Sequence, residues 1–432
     1  MLADRGIRLI GGLAVGLWLA RYLGPGDFGI LSTATAVTYM GVVIAQFGLD
    51  GLVQREFVQR PTETGTILGT VTVMSLIGAV VGWGTIAIIT ALSVDNPTLR
   101  NVALWVALLV LPQILIAWEY LFQARTDMRP VVIAQNITFC VCVAIRAVMI
   151  IWKMPVLAFA ILIVVERLTG SIAVLVWASR RHRYGELRFD RRLARAMLVE
   201  SWPVWLGAIL TTLYLKLDMV LIVRWKDVVA AGTYAAALKF SELWWMISML
   251  VATAMLPEVV RARSRGEKEY WTLMQRYLDG SLIIALTAAI TMTFIAHPLV
   301  AFFYGHRFAD SANILRIHFW SGIFIYLSVS RSRHIIASGR RLVELWLNLG
   351  GMGLNLMANF ILIPRYGALG AAWAGLATQL SIALIFPWFF ADTQQVVRAE
   401  IAAFGFPVRL PGYWRAIRRR LWPNKVIDAG KS

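Results

Sequence analysis

The sequence predicts an all-α integral membrane protein, with twelve transmembrane helices in two pseudo-symmetric six-helix lobes around a central cavity. Of the 432 residues, 59% are hydrophobic and only 15% charged, where a soluble domain runs about half apolar and a quarter charged. The apolar runs have the length of helices that cross about 30 Å of hydrocarbon. Segments of alternating polarity are absent, which argues against an outer-membrane barrel.

The first run, 6–23, follows Arg5 and Arg8 and lacks a small-residue cleavage site, so it reads as a membrane helix and not a removed signal. Only twelve residues separate Arg8 from Arg21, about 18 Å of helix. Arg8 therefore either snorkels or sits at membrane depth facing protein or water. The segments 28–50, 67–93, 101–122, 131–152 and 155–178 complete an N-lobe, residues 1–178. A basic loop, 179–200, separates it from a C-lobe, 201–391, with segments 201–225, 228–256, 277–303, 313–338, 342–364 and 367–391. A basic tail, 392–432, follows. In the loop, Phe189, Leu193, Met197 and Trp202 fall near one helical face and Arg191, Arg192 and Arg195 elsewhere. That is the pattern of an amphipathic helix on the inner membrane surface, and "YWRAIRRRLWP" in the tail repeats it. Both stretches are expected to meet anionic membrane lipids.

Twelve spans put both termini on one side. Of the 42 lysines and arginines, 28 fall in the loops and tails of that side, 8 in the opposite loops and 6 within spans. The positive-inside bias makes the termini cytoplasmic. The net charge of +18 is then mostly topology, and no nucleic-acid partner need be invoked. The outer loops are all short, so no external domain could hold an active site. Cys140 and Cys142 read as buried thiols, since a lone CxC has no further ligand at metal spacing.

Two stretches hint at an internal repeat. "ARYLGPGDFGILSTA" leaves the first span and "VRWKDVVAAGTYAAA" the seventh, each with a polar turn and a glycine, Gly29 or Gly232, opening the next helix. "FQARTDMRPVVIAQN" and "IIASGRRLVELWLN" form a second parallel. With six helices per copy, such a repeat gives two parallel lobes with a site between them.

These residues resemble the bacterial polysaccharide transporter family, the O-antigen and exopolysaccharide flippases of the multidrug/oligosaccharidyl-lipid/polysaccharide exporter superfamily. "ARYLGPGDFGILS", "GLDGLVQREFVQR", "RFDRRLARAMLVESWPVWLG", "LDMVLIV" with "GTYAAALKFSE", and "NLMANFILIPRYGALGAAWAGLATQ" carry the resemblance, in order, over about 10–390. It implies a cavity that opens alternately to either side and an undecaprenyl-pyrophosphate-linked glycan as substrate. A polysaccharide polymerase and a chain-length regulator are the protein partners it implies, and the bacterial inner membrane the location.

Ionisable groups at membrane depth are costly and mark functional candidates. The cations are Arg146, Arg167, Lys216, Lys239, Arg331 and Arg333, with Arg8; the acids are Glu119, Glu166, Asp218 and Glu242. The excess is cationic, which suits a pyrophosphate, whereas a pump for cationic drugs would want acids. Lys216, Lys239, Arg146, Arg8, Arg331 and Arg333 are therefore the candidate substrate-binding residues. Arg55 joins them through its place in the "LVQRE" match. Each has a structural alternative: Lys239 with Glu242 three residues on, snorkelling for Arg331 and Arg333, and partners on other helices for Glu166 and Arg167. Glu119 reads as interfacial. Lys216 and Asp218 are about 200° apart on a helix, so one is expected to face the cavity and the other, Asp218, a partner in its lobe such as Lys239. Asp218 and Glu242 are candidates for carrying a coupling ion.

Enzyme readings find little support. The five histidines lack paired ligand spacing, no Walker A or GxSxG occurs, and "GGMGLN" sits in an apolar span where close helix packing explains it. No cofactor, metal or catalytic residue is expected. The alternatives are a secondary exporter of another amphipathic solute and, third, a membrane glycan polymerase or ligase.

Overall fold

The computed structural model describes residues 2–93, 95–181, 186–338 and 341–411. The Arg8 side chain and the tail stretch "YWRAIRRRLWP" lie outside the described residues. Fourteen α-helices run α1 Leu2–Ala45, α2 Asp50–Gln59, α3 Thr64–Ser93, α4 Pro97–Val106, α5 Ile116–Ala124, α6 Arg129–Ile151, α7 Val156–Arg181, α8 Arg191–Trp225, α9 Val228–Arg265, α10 Glu267–Tyr304, α11 Ser311–Ser338, α12 Arg341–Tyr366, α13 Ala368–Leu380 and α14 Ala391–Ala403. Among the described residues no strand occurs.

Among the described residues, eleven helical stretches are long and apolar enough to cross a membrane, and the first, Val15–Gln59, runs from within the first predicted span through the second. The break between them is Gly24, at φ 70° and ψ 174°. Pro25 bars the helical conformation from the residue before it, and only glycine takes the positive φ without strain. Twelve crossings result.

The predicted amphipathic helix is not separate. Asp190 caps a single 35-residue helix, α8, by accepting the backbone N–H groups of Arg192 and Leu193 at 2.7 and 3.3 Å. Leu193, Ala194 and Met197 then pack with Leu49, Val53, Val71, Trp118, Leu121 and Val174. The apolar face expected to meet lipid is covered by protein there, and only Phe189 and Trp202 are exposed. Cys142 is buried but Cys140 is exposed; two residues apart on a helix, they cannot share a face.

The chain divides into two compact units. Unit 1 comprises Met1–Phe240, Ile295–Leu315 and Met352–Ala374. It gathers the arginine-poor loops. Arg21 donates to the Phe302 carbonyl at 3.3 Å, Tyr22 to that of Met154 at 2.9 Å, and Tyr304 to that of Ala236 at 3.0 Å. Here the two glycines of the sequence repeat meet. A Cβ on Gly29 would lie 1.8 Å from the Val228 carbonyl oxygen, and one on Gly232 would lie 1.8 Å from that of Pro25. Each glycine thus admits the backbone one turn before the other, a reciprocal crossing that no side chain could enter.

Unit 2 comprises Ser241–Phe294, Arg316–Gly351 and Gly375–Ser432. Its central feature follows from Pro387. The last crossing loosens into a π-helical turn, Ser381–Ile385, then a 3-10 turn, Phe386–Phe389. The Phe386 N–H turns back to the Ser381 carbonyl and Pro387 has none to give, so the carbonyls of Ile382 and Ala383 lose their helical donors. Arg331 supplies both donors, at 2.7 and 2.8 Å, and its remaining charge meets Glu400 of α14 at 3.0 Å. Arg331 is 1% and Glu400 0% exposed, so this pair is sealed from solvent. A second link ties the same region down, Arg409 to Asp279 at 2.7 and 2.8 Å.

Candidate functional site

Unit 1 contains two polar clusters among apolar helices. The larger surrounds a cavity of about 540 Å³ lined by α1, the 3-10 turns Ala107–Leu115, α6 and α7. Pro112 lies inside those turns and keeps them from continuing α4 as a regular helix. Gln113, just after it, is buried and accepts a 3.2 Å hydrogen bond from the Gln46 amide. Across the cavity, Arg146 of α6 donates to Glu166 of α7 at 2.9 Å. Arg167, one residue on, also lines the cavity but is exposed. Arg146, expected to stand alone, therefore has a counter-ion twenty residues away in sequence.

The second cluster is centred on Asp218 of α8, which is buried. Tyr234 of α9 donates to one carboxylate oxygen at 2.9 Å and the Asn359 amide of α12 to the other at 2.6 Å. Asn359 also donates to Asn355, one turn earlier, at 2.9 Å. The Asn359 carbonyl oxygen is buried without a donor among the described residues. Lys239, expected against Asp218, is exposed and is not its partner; a hydroxyl and an amide hold the carboxylate instead. The carboxylate thus rests on two neutral donors.

The other predicted residues are scattered. Lys216 is half-buried on α8, and Lys239 and Glu242 are exposed on α9. Arg55, midway along α2, makes a forked ion pair with Glu200 of α8 at 2.5 and 2.8 Å, exposed on both sides. Arg331 is spent on the carbonyls and carboxylate of unit 2, while Arg333 is half-buried there. Glu119 is buried. Sequence reasoning missed Gln46, Gln113, Gln135, Asn355 and Asn359; their signal is that uncharged amides sit in runs otherwise apolar.

Among the described residues, long apolar helices with polar clusters between them define a multi-pass membrane protein. The chain belongs to the polysaccharide biosynthesis protein family, whose model matches residues 12–263, more than half of its length; residues 203–361 also match the MatE family model. It is 26% identical over 141 residues to the capsular polysaccharide biosynthesis protein CapF of Staphylococcus aureus, covering 32% of this chain and 35% of the relative. It is 22% identical over 218 residues to the probable low-salt glycan biosynthesis flippase Agl15 of Haloferax volcanii, covering 50% of this chain and 46% of the relative. The matches span between about a third and a half of the length of the curated relatives. Among solved structures, the lipid II flippase MurJ in its inward closed conformation superposes with a TM-score of 0.74 at 13% identity, over 94% of this chain and 92% of that one.

Proposed function

We propose that the chain is a flippase that moves an undecaprenyl-pyrophosphate-linked oligosaccharide, an O-antigen or exopolysaccharide repeat unit, between leaflets of a bacterial inner membrane by alternating access. The observation that carries this reading is a polar, arginine-bearing cavity buried among the apolar helices of a polysaccharide biosynthesis family member. The names of its relatives CapF and Agl15 point the same way. In this reading residues 1–178 and 201–391 are the moving lobes, and both termini are cytoplasmic. The lipid tail stays in the bilayer while the charged head crosses along a shielded path. Lys216, Lys239 and Arg8 draw in the pyrophosphate and replace part of its hydration, while Arg146 stays paired with Glu166.

Deleting the gene is expected to make the lipid-linked glycan accumulate in the inner leaflet. The wild-type chain restores export, and alanine at Lys216, Lys239 and Arg8 together leaves it deficient at normal protein level. Intact export in that variant would sink the cationic path.

Energy comes from an ion gradient or the membrane potential, with Asp218 as the coupling carboxylate because it is buried without a fixed counter-charge. In proteoliposomes Asp218→Asn is expected to uncouple transport from the proton gradient. If coupling survives in both Asp218→Asn and Glu242→Gln, neither carries the ion. The MatE match favours one second reading, a secondary exporter of another amphipathic solute. Under that reading the deletion strain accumulates no lipid-linked glycan.

A further inference from the structure

The α1/α6/α7 cavity is poorly suited to a pyrophosphate. Its inner cation, Arg146, is already neutralised by Glu166 at 2.9 Å. A second anion brought there would compete for Arg146 and be repelled by Glu166, leaving only Arg167 at the exposed side. The rest of the wall is uncharged and bonds in both senses. Gln46 and Gln113 use one donor and one acceptor on each other, which leaves a carbonyl oxygen on the first and an amide on the second. Gln135 and Ser171 are further polar side chains of the wall, and Phe139 adds an aromatic face. The charges are one balanced ion pair and a single arginine, Arg167, at the exposed side. Spare amide groups beside a ring match a polyhydroxylated ring.

We propose that this cavity is a sugar subsite, built to take a pyranose ring of the glycan head while the pyrophosphate is held elsewhere. The proposal rests on the flippase reading and adds which end of the substrate enters the N-terminal helices. A cavity of about 540 Å³ falls within the usual range for a small-molecule site, roughly 300–1,000 Å³.

The test uses the full-length purified chain with Cys140 and Cys142 replaced by serine and a single reporter, Ile163→Cys, on the cavity wall. Alkylation by a small maleimide is timed with two probes. One is the lipid-linked glycan extracted from the deletion strain, the other undecaprenyl pyrophosphate bearing no sugar. The glycan lipid is expected to slow labelling and the sugar-free lipid to leave it unchanged. Gln113→Ala raises the half-protecting concentration about tenfold, the effect of one lost hydrogen bond to a buried polar group, with the melting temperature checking that it folds. Equal protection by both lipids overturns the proposal, because the lipid or phosphate end then fills the cavity. Protection by neither, in a chain that still restores export, overturns the subsite and leaves the flippase reading standing. A deletion strain that accumulates no lipid-linked glycan overturns both.

Discussion

Replacing Arg331 with alanine is expected to cost about 3–5 kcal/mol of stability, the penalty of stranding a buried counter-ion. Glu400, fully buried, keeps no compensating charge, and the carbonyls of Ile382 and Ala383 lose both donors. Thermal unfolding in detergent measures it. Pairing Arg331→Met with Glu400→Leu should recover part of the loss, because two apolar residues leave no uncompensated ion. The recovery stays incomplete, since Pro387 has no N–H for the Ala383 carbonyl and that of Phe386 is used by Ser381. Arg331→Lys should also be poor, because an ammonium lacks the planar fork that reaches two carbonyls and a carboxylate at once. A double variant as unstable as Arg331→Ala alone would show that Glu400 matters for packing and not for charge.

Gly29→Ala or Gly232→Ala is expected to abolish glycan export while the protein still reaches the membrane. The added methyl group would sit 1.8 Å from a backbone oxygen in either case, and backbone cannot swing aside as a flexible side chain would. The crossing must come apart. Cysteines at Gly26 and Val229, where a Cβ on Gly26 would lie 3.9 Å from the Val229 Cγ2, report this directly: they should cross-link in the parent chain and fail to do so when Gly29 or Gly232 carries a methyl. The two substitutions act on one contact, so combining them should add little to either. Full export with cross-linking retained would mean that the helices can shift to accept the methyl.

The crossings were legible because a run of apolar residues long enough to span lipid is a strong local signal. Gly29 and Gly232 were legible as repeat partners too, through the turns before them, although nothing in sequence says that the two copies touch. Charges fared differently. A cation in an apolar run looks the same whether it faces water, a carboxylate or a carbonyl, and for Arg331 the deciding partner lies 69 residues downstream. Pro387 was the available clue, since a proline ending a membrane helix leaves carbonyls that something must satisfy. Arg146 hid Glu166 on the next helix for the same reason. The face of α8 near Leu193 and Met197 was recognised as apolar, but pattern alone cannot distinguish lipid from protein as its cover. Asp218 was singled out correctly as buried, while its partners are uncharged and carry no electrostatic signature in the sequence.

The Arg331–Glu400 pair also sets an order of assembly. As the chain is made, α11 enters the bilayer bearing a guanidinium whose three acceptors do not yet exist. They arrive only with the last crossing and with α14, a helix that follows every predicted span. Until then the arginine must stay near water or borrow lipid phosphate, so α11 stays incompletely seated. A ribosome stalled after Phe390 would leave a chain with every crossing synthesised but this helix unsettled. The seating of α11 thus waits on synthesis of α14.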